Sequence, residues 1–330
     1  MRAVVFRGAG GPEVVSLADV PTPVPGPGEL LVRVHATALN RADLLQRDGE
    51  YHVPKGQSTI PGVEIAGVVE ALGAHATGFK PGDRVFGVVE GGAFAEYCRL
   101  DAGMANPVPA AWGFAEAAAT AESWLTANET LFTLGGLTAG QSVLVHASAS
   151  GVGAAMVQQA VRAGAVVYGT ASSPSKIDAV KALGAKEVIN HRAHEYAAEL
   201  MRLTAGEGVD LVMDFLGGMA LARNLSVLRR GGCVVAAGLL DGTEDASMNL
   251  LDVIERRLQI KGSSLRLRPI AEKREVNARF RERWLARLLR DEVRPVIHTS
   301  YQIEEINTAL QEMEENRNIG KIVLWIRHTG

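Results

Sequence analysis

The chain of 330 residues contains only two cysteines, Cys98 and Cys233. Two cysteines cannot build a disulfide framework, and their scarcity favours a reducing compartment. The sequence has no apolar run near the ~20 residues that a membrane-spanning helix needs. Its N-terminal stretch, MRAVVFRGAGGPEVV, lacks the apolar core of a signal peptide. We therefore expect a cytoplasmic protein that does not enter a membrane.

An excess of charge of one sign is also missing. The formal net charge is −3, which gives no electrostatic basis for binding nucleic acid. The Arg-rich stretch from Arg266 to Arg294 needs a separate explanation. Its apolar residues recur at helical spacing and acidic residues are interspersed, so it is predicted to be an amphipathic helix with a solvated face.

The sequence also lacks a recognisable pattern of metal ligands. The sequence has no C-x2-C pattern, and neither cysteine has a histidine at ligand spacing. The early histidines, His35, His52 and His75, stand singly, as structural or exposed histidines usually do. No metal site is predicted, and a dehydrogenase that depends on catalytic zinc is disfavoured.

Two kinds of pattern divide the chain. The first ~120 residues contain short apolar runs separated by turns, which are typical of β-structure. From about residue 122 onwards, strands alternate with helices of ten or more residues, and this alternation predicts a parallel, doubly wound sheet. The last ~65 residues return to a mixture of helices and strands. The sequence therefore predicts an α/β protein.

The clearest motif is VLVHASASGVG, at 143–153. A dinucleotide-binding loop of the form G-x-G-x-x-G would have glycine at 148, 150 and 153, whereas this chain has Ser148, Ser150 and Gly153. Gly151 and Gly153 keep the start of the helix free of bulk, where backbone N–H groups bind a pyrophosphate. A small-residue turn without a nucleotide is the alternative, and the strand–helix context favours the nucleotide loop.

The end of the second strand of this region indicates NADPH rather than NADH. An NAD site normally has Asp or Glu about 20 residues after the loop, but the sequence here is GTASSPSK. The hydroxyls of Ser172 and Ser173 and the ammonium of Lys176 would suit a 2′-phosphate. His191, after the third strand, either flanks the adenosine or is an exposed loop histidine, and the residues leave both open.

The first part of the chain offers hydrogen-bond donors for an electrophilic acceptor. Reduction of a quinone or an activated enone needs little acid catalysis, because the acceptor is already electrophilic. Hydrogen-bond donors near the developing oxyanion would suffice. Asn40, Asp43 and Tyr51, in ALNRADLLQRDGEY, are the candidates. Their alternative roles are turn stabilisation for Asn40 and Asp43 and partial burial for Tyr51.

Together these segments resemble the zinc-independent quinone oxidoreductase (zeta-crystallin-like) branch of the medium-chain dehydrogenase/reductase superfamily. The resemblance covers essentially the whole chain, through PGVEIAGVV, PGDRVFG, WLTA, VLVHASASGVG and NIGKIVL. Asn40 stands where zinc-dependent relatives have a cysteine ligand, and Val63 where they have a zinc-binding histidine. The tumour-suppressor-inducible members look like the nearer subgroup.

The resemblance implies an architecture. A GroES-like, β-rich catalytic domain would be interrupted by a doubly wound Rossmann domain. Residues 1–122 and 265–330 would form the catalytic domain, and residues 123–264 the NADPH-binding domain. The active site would lie between the domains, at the carboxyl ends of the strands. A homodimer formed through the sheet edge near LQIKGSS is also implied.

The resemblance further implies the site residues. Residues 150–153 would contact the pyrophosphate, and residues 235–238 with 261–263 would line the nicotinamide side. Ser172, Lys176 and His191 would surround the 2′-phosphate and adenosine. The family tyrosine near nicotinamide and substrate corresponds to Tyr51. The matching positions are Asn40, Tyr51, Thr126, Ser150, Gly151, Val152, Gly153, Ser172, Lys176, His191, Val235, Gly238, Lys261, Gly262, Ser263 and, more loosely, Arg317.

The sequence therefore predicts a cytoplasmic, homodimeric NADPH:quinone oxidoreductase in which Tyr51 and Asn40 orient the acceptor oxygen. One alternative is an enone or enoyl-thioester reductase that uses the same cofactor. An alternative of a different class is an NADPH-binding sensor with little turnover. The physiological acceptor, the choice between one-electron and two-electron reduction, and the role of Asp43 are left open by the residues.

Overall fold

The computed structural model describes residues 1–51, 53–242 and 246–328, so His52 lies outside the described residues. The chain divides into two compact units. Unit 1 comprises Met1–Leu125 and Arg266–Gly330, and unit 2 comprises Thr126–Leu265. No helix within the described ranges is long and apolar enough to span a membrane.

The strands of the described residues are, in chain order, β1 (Arg2–Phe6), β2 (Val15–Asp19), β3 (Glu29–Ala38), β4 (Glu64–Leu72), β5 (Arg84–Val88), β6 (Tyr97–Asp101), β7 (Ala105–Pro107), β8 (Ser142–Val145), β9 (Val166–Ala171), β10 (Glu187–Asn190), β11 (Val209–Asp214), β12 (Leu228–Ala236), β13 (Gln259–Gly262), β14 (Ile297–Gln302) and β15 (Lys321–Trp325).

The α-helices are α1 (Arg41–Arg47), α2 (Phe114–Asn128), α3 (Gly151–Arg162), α4 (Pro174–Ala182), α5 (Tyr196–Leu203), α6 (Ala220–Ser226), α7 (Leu250–Arg256), α8 (Ile270–Phe280), α9 (Ala286–Leu289) and α10 (Ile306–Glu314). Short 3-10 turns occur at Pro12–Val14 and Ile303–Glu305. Two π-helical stretches, Glu129–Leu134 and Arg281–Leu285, extend α2 and α8.

Unit 1 is built around β3. Alternate residues of this strand, Leu30, Val32, Val34 and Ala36, have no exposed surface, as expected when successive side chains point to opposite faces of a sheet. The main sheet runs β14-β15-β3-β4-β5-β7, and β6 also pairs with β3. Both β15 and β4 are antiparallel to β3. The carboxyl end of β3 therefore lies beside the first residues of β4 and β15.

Unit 2 contains a six-stranded parallel sheet in the order β10-β9-β8-β11-β12-β13. In chain order this is 3-2-1-4-5-6, the order of a Rossmann sheet. Strand β8 is buried at every position, as parallel strands covered by helices on both faces are. The predicted fold class, a β-rich domain interrupted by a doubly wound domain, is confirmed.

The Arg-rich stretch forms a helix, as predicted, interrupted by the second π-helical stretch. Its apolar side is buried, including Val276, Phe280 and Leu288. Trp284 packs edge-on against Trp124 with 5.7 Å between ring centroids. The apolar residues therefore recur at helical spacing because one side of this helix packs into the core of unit 1.

Candidate functional site

A buried ion pair lies where three strand ends of unit 1 meet. Glu64, the first residue of β4, is fully buried, and Lys321, the first residue of β15, is 4% exposed. Their Nζ and Oε1 atoms are 2.7 Å apart. Sequence reasoning singled out neither residue. Each could have been recognised from the sequence as a single charged residue at the start of an otherwise apolar strand, in EIAGVV and in KIVLW.

Asn40, directly after β3, completes this cluster. Lys321 Nζ donates to the Leu39 carbonyl at 2.6 Å and to Asn40 Oδ1 at 2.7 Å. Asn40 Nδ2 donates to Glu64 Oε1 at 2.8 Å, and the backbone N–H of Glu122 donates to Glu64 Oε2 at 2.7 Å. An ammonium has three hydrogens, and here each has an acceptor. The Asn40 amide is therefore held in one orientation from both of its ends.

Asp43, in the first turn of α1, is a buried acid next to the cluster. Its side chain is 1% exposed, and Oδ2 accepts a hydrogen bond from the Asn40 backbone N–H at 2.7 Å. Burial raises the pKa of Asp43 to about 7, although this N–H and the charges of Lys321 and Arg266 act in the opposite direction. The structure thus places Asp43 beside Asn40 with a proton that titrates near neutrality.

Tyr51 is positioned by α1 and by Arg266. Its backbone N–H donates to the Leu45 carbonyl at 3.1 Å, and the Arg266 guanidinium carbon lies 4.9 Å from the centre of its ring. Arg266 Nη1 also donates to Gln46 Oε1 at 3.3 Å. Burial raises the pKa of the Tyr51 hydroxyl, while the charge and a hydrogen bond of Arg266 oppose the rise. Sequence reasoning treated Arg266 only as the start of a surface helix.

The cluster around Asn40 does not fit a zinc ion. Zinc sites are built from thiolate, imidazole and carboxylate ligands, whereas here the Lys321 ammonium already lies 2.7 Å from both Asn40 and Glu64. A second cation in the same place would be repelled. Across the described part of the chain, no group of three or more His, Cys, Asp or Glu residues is arranged to hold a metal ion.

In unit 2, the predicted nucleotide loop is the N-terminus of α3. Ser150 is the N-cap of this helix, and its Oγ accepts a hydrogen bond from the Gly153 N–H at 3.0 Å. A Cβ on Gly153 would lie 2.4 Å from the Ala147 carbonyl oxygen, so only glycine allows the helix this close to the turn. Gly151 and Val152 open the helix. The loop follows β8 beside β11, where the strand order reverses and ligands of such sheets bind.

Basic side chains gather after the ends of β9 and β10. Desolvation lowers the pKa of Lys176 and of His191, and the Arg192 guanidinium lowers both further. Ser173 caps α4 by accepting from the Lys176 N–H at 3.4 Å, and Ser172 precedes it. Positive charges that repel one another at a helix N-terminus fit a phosphate group, whose charge would relieve the repulsion. Arg192, next to the predicted His191, was missed.

The residues predicted to line the nicotinamide lie at or just after the ends of two adjacent strands of the same sheet. Val235 lies in β12 and Gly238 just after it, while Lys261 and Gly262 lie in β13. Ser263 N–H donates to the Ala236 carbonyl at 2.8 Å. Because the strands are parallel, these ends share one edge of the sheet with the start of α3.

Three predicted residues have structural partners. The ammonium of Lys261 donates to the Leu134 carbonyl at 2.8 Å, in the first π-helical stretch. Thr126 lies in α2, where its carbonyl accepts from Thr130 Oγ1 at 2.7 Å. Arg317, in unit 1, makes a half-exposed ion pair with a neighbouring glutamate at 2.6 Å. Their binding roles stay predictions.

Asp43 should make the stability of unit 1 depend on pH. Between about pH 4 and pH 7 the unfolded chain releases a proton that the folded Asp43 retains, so the free energy of unfolding falls as pH rises. From pH 5 to pH 7 the Asp43 contribution should fall by about 2–3 kcal/mol. Asp43→Asn, which keeps an acceptor for the Asn40 N–H, should remove this contribution.

Urea unfolding followed by tryptophan fluorescence measures this effect, since all four tryptophans belong to unit 1. Asp19→Asn, at an exposed carboxylate of β2, is the matched control and should retain the wild-type pH dependence. A variant at Asp43 with that same dependence would show that the buried carboxyl does not carry the proton.

Comparison with known proteins assigns the chain to a family. Residues 26–127 match the alcohol dehydrogenase GroES-like domain, and residues 151–281 match the zinc-binding dehydrogenase model. The chain is 32% identical to the quinone oxidoreductase of Rattus norvegicus, over 98% of this chain and 97% of the relative. It is 34% identical to the human synaptic vesicle membrane protein VAT-1 homolog, over 98% and 86%.

Solved structures extend the comparison. The Escherichia coli quinone oxidoreductase complexed with NADPH has a TM-score of 0.89 and 27% identity, covering 98% of this chain and all of that one. The CurK enoyl reductase has a TM-score of 0.87 and 27% identity, covering 99% of each chain. The likeness to the tumour-suppressor-inducible subgroup stays a prediction. The chain belongs to the medium-chain dehydrogenase/reductase superfamily of oxidoreductases and has quinone oxidoreductases among its relatives.

Proposed function

We propose that this protein is an NADPH-dependent quinone oxidoreductase that acts without zinc, in the cytoplasm. The observation that carries the proposal is the Lys321–Glu64–Asn40 cluster. By the resemblance, Asn40 stands where zinc-dependent relatives have a cysteine ligand, and here its side chain accepts a hydrogen bond from an ammonium of the chain itself. The similarity to quinone oxidoreductases, one of them solved with NADPH, supports the same function.

The cofactor would be held by unit 2. Lys176, His191 and Arg192 would surround the 2′-phosphate, with Ser172 and Ser173 as hydrogen-bond donors. The first N–H groups of α3, at 151–153, would bind the pyrophosphate. The ends of β12 and β13 would line the nicotinamide. Bound NADPH would supply the reducing equivalents for the acceptor.

The acceptor would be oriented by residues of α1 and the segment after it. The Tyr51 hydroxyl would donate to the acceptor oxygen, and Asp43 and Asn40 would fix the start of the helix. Asn40 itself has one weakly used hydrogen, because Nδ2 lies 3.4 Å from the Ala38 carbonyl. If this hydrogen turned from the Ala38 carbonyl to the acceptor oxygen, Asn40 would bind the acceptor and keep its 2.8 Å hydrogen bond to Glu64.

An enone or enoyl-thioester reductase is the second candidate, and the similarity to CurK enoyl reductase favours it. Both candidates can be separated by initial rates of NADPH oxidation with chelator-treated protein, using 9,10-phenanthrenequinone or an acyclic enone as acceptor. We expect quinone-dependent oxidation that prefers NADPH over NADH and survives the chelator. Turnover of the enone alone would replace the proposal with the second candidate. NADPH binding without turnover of either acceptor would indicate a sensor.

Lys176→Ala tests the cofactor site. Loss of a charged hydrogen bond to phosphate should raise the KM for NADPH by roughly tenfold or more, while kcat at saturating NADPH and the KM for NADH stay near their wild-type values. Steady-state kinetics with both cofactors measures the effect.

Lys181→Ala provides the control for this experiment. Lys181 lies on the same helix but pairs with Glu187 at 2.8 Å on the surface, and its removal should leave both KM values unchanged. Equal effects of the two substitutions would exclude Lys176 from the phosphate site.

The sheet edge of unit 2 would form a homodimer interface. Strand β13 is an edge strand, and Ile260 on it is 41% exposed. On α7, Leu250, Leu251 and Ile254 are each at least 60% exposed. A second copy related by a two-fold axis could pair with this edge and cover these side chains.

Sedimentation equilibrium tests the dimer. Ile260→Lys should shift the protein from dimer to monomer, because it places a charge in the paired edge. Val24→Lys, at an 81% exposed residue of unit 1, should leave the dimer intact. A monomeric wild type, or a dimer that is unaffected by Ile260→Lys, would overturn this interface.

A further inference from the structure

A metal-free site still has to stabilise the negative charge that develops on the acceptor oxygen. The cluster around Asn40 offers the acceptor one hydrogen, the Asn40 amide hydrogen directed at the Ala38 carbonyl 3.4 Å away, because its other donors are already used. The three hydrogens of Lys321 go to Leu39, Asn40 and Glu64, and the stronger bond of the Asn40 amide goes to Glu64. A further donor close to Tyr51 is therefore needed.

Arg266 has the required position and an unused donor. Its guanidinium lies over the Tyr51 ring, 4.9 Å from the centroid, and Nη1 is fixed by Gln46 Oε1 at 3.3 Å. The Nε atom is buried, and it has no hydrogen-bond partner among the described residues. A buried donor left without an acceptor costs about 1–3 kcal/mol, a cost that an arriving ligand oxygen would remove.

We propose that Arg266 is a catalytic residue, whose Nε–H binds the acceptor oxygen together with the Tyr51 hydroxyl. This inference rests on the proposed function and names its substrate class. The acceptors would be carbonyl compounds whose reduction leaves an oxyanion conjugated to a ring or double bond. Quinones, which give hydroquinone anions, are the principal example.

The chemistry suits a guanidinium. NADPH, when bound, would give up a hydride by breaking a C–H bond of its dihydronicotinamide and would be oxidised to NADP⁺. The hydride would bond to one end of the conjugated acceptor, and the displaced π electrons would move through the conjugated system to the carbonyl oxygen at the other end. Arg266 stays protonated throughout, so it stabilises the oxyanion without transferring a proton. Water then supplies the proton that completes the reduced product. Stacking on Tyr51 keeps the guanidinium plane fixed, so little reorganisation is required when the charge forms.

Arg266→Met removes the donors and keeps an unbranched side chain over the Tyr51 ring. We expect kcat for quinone reduction to fall about 10²-fold, while NADPH affinity stays within roughly twofold. Arg266→Lys should lose less, because the charge remains. Arg274→Lys is the control, since Arg274 pairs with Asp101 at the surface of the same unit. It should retain wild-type rates.

A series of quinones of different reduction potential separates this role from a structural one. Without Arg266, the rate should depend more steeply on the intrinsic electrophilicity of the acceptor, because less of the oxyanion charge is stabilised by the protein. A uniform loss across the series, or no loss, would overturn the catalytic role. Unchanged tryptophan fluorescence and urea unfolding would establish that the variants are folded.

Binding of 4-nitrophenol provides a readout that does not need turnover. In NADP⁺-saturated protein, the absorbance of the bound phenolate should show a lowered phenol pKa in the wild type and in Arg274→Lys, but not in Arg266→Met. A wild type that reduces no quinone yet shows this shift would refute the proposed function and leave an Arg266 oxyanion site. Absence of the shift in the wild type would refute the Arg266 site itself.

Discussion

The structure of unit 1 depends on the buried pair between Lys321 and Glu64. Removing two charges from water is costly, and such a pair is tolerated only when the remaining hydrogens and lone pairs are also bonded. Here the Leu39 carbonyl, the Asn40 amide and the Glu122 N–H complete the bonding. The first residues of β4 and β15 are therefore tied to the end of β3 at one defined position.

The candidate acceptor site is built outward from this point. Asn40 leads into α1, whose first turn holds Asp43 and whose last turn anchors Tyr51 through Leu45. The chain returns to unit 1 at Arg266, which stacks on Tyr51. Unit 2 separately gathers Lys176, Arg192 and a capped helix N-terminus in a form suited to phosphate.

Local patterns predicted the fold well. The alternation in β3, the apolar runs of the parallel strands and the loop VLVHASASGVG each reflect constraints that act over a few residues, so they can be read without tertiary information. The buried cluster could not be predicted in this way, because Asn40 and Lys321 are 281 residues apart and meet only through sheet register. Arg192 and Arg266 were missed for a related reason, since their neighbours come from different elements.

The most direct test is a double-mutant cycle on Glu64→Gln and Lys321→Met, with urea unfolding of unit 1 and quinone reduction as readouts. Each single change leaves one charge buried without its partner and should lower the free energy of unfolding by about 3–5 kcal/mol. The double variant should recover most of that stability, and quinone reduction should fall in both single variants. Additive losses of stability, with quinone reduction unaffected, would contradict an organising role for the ion pair.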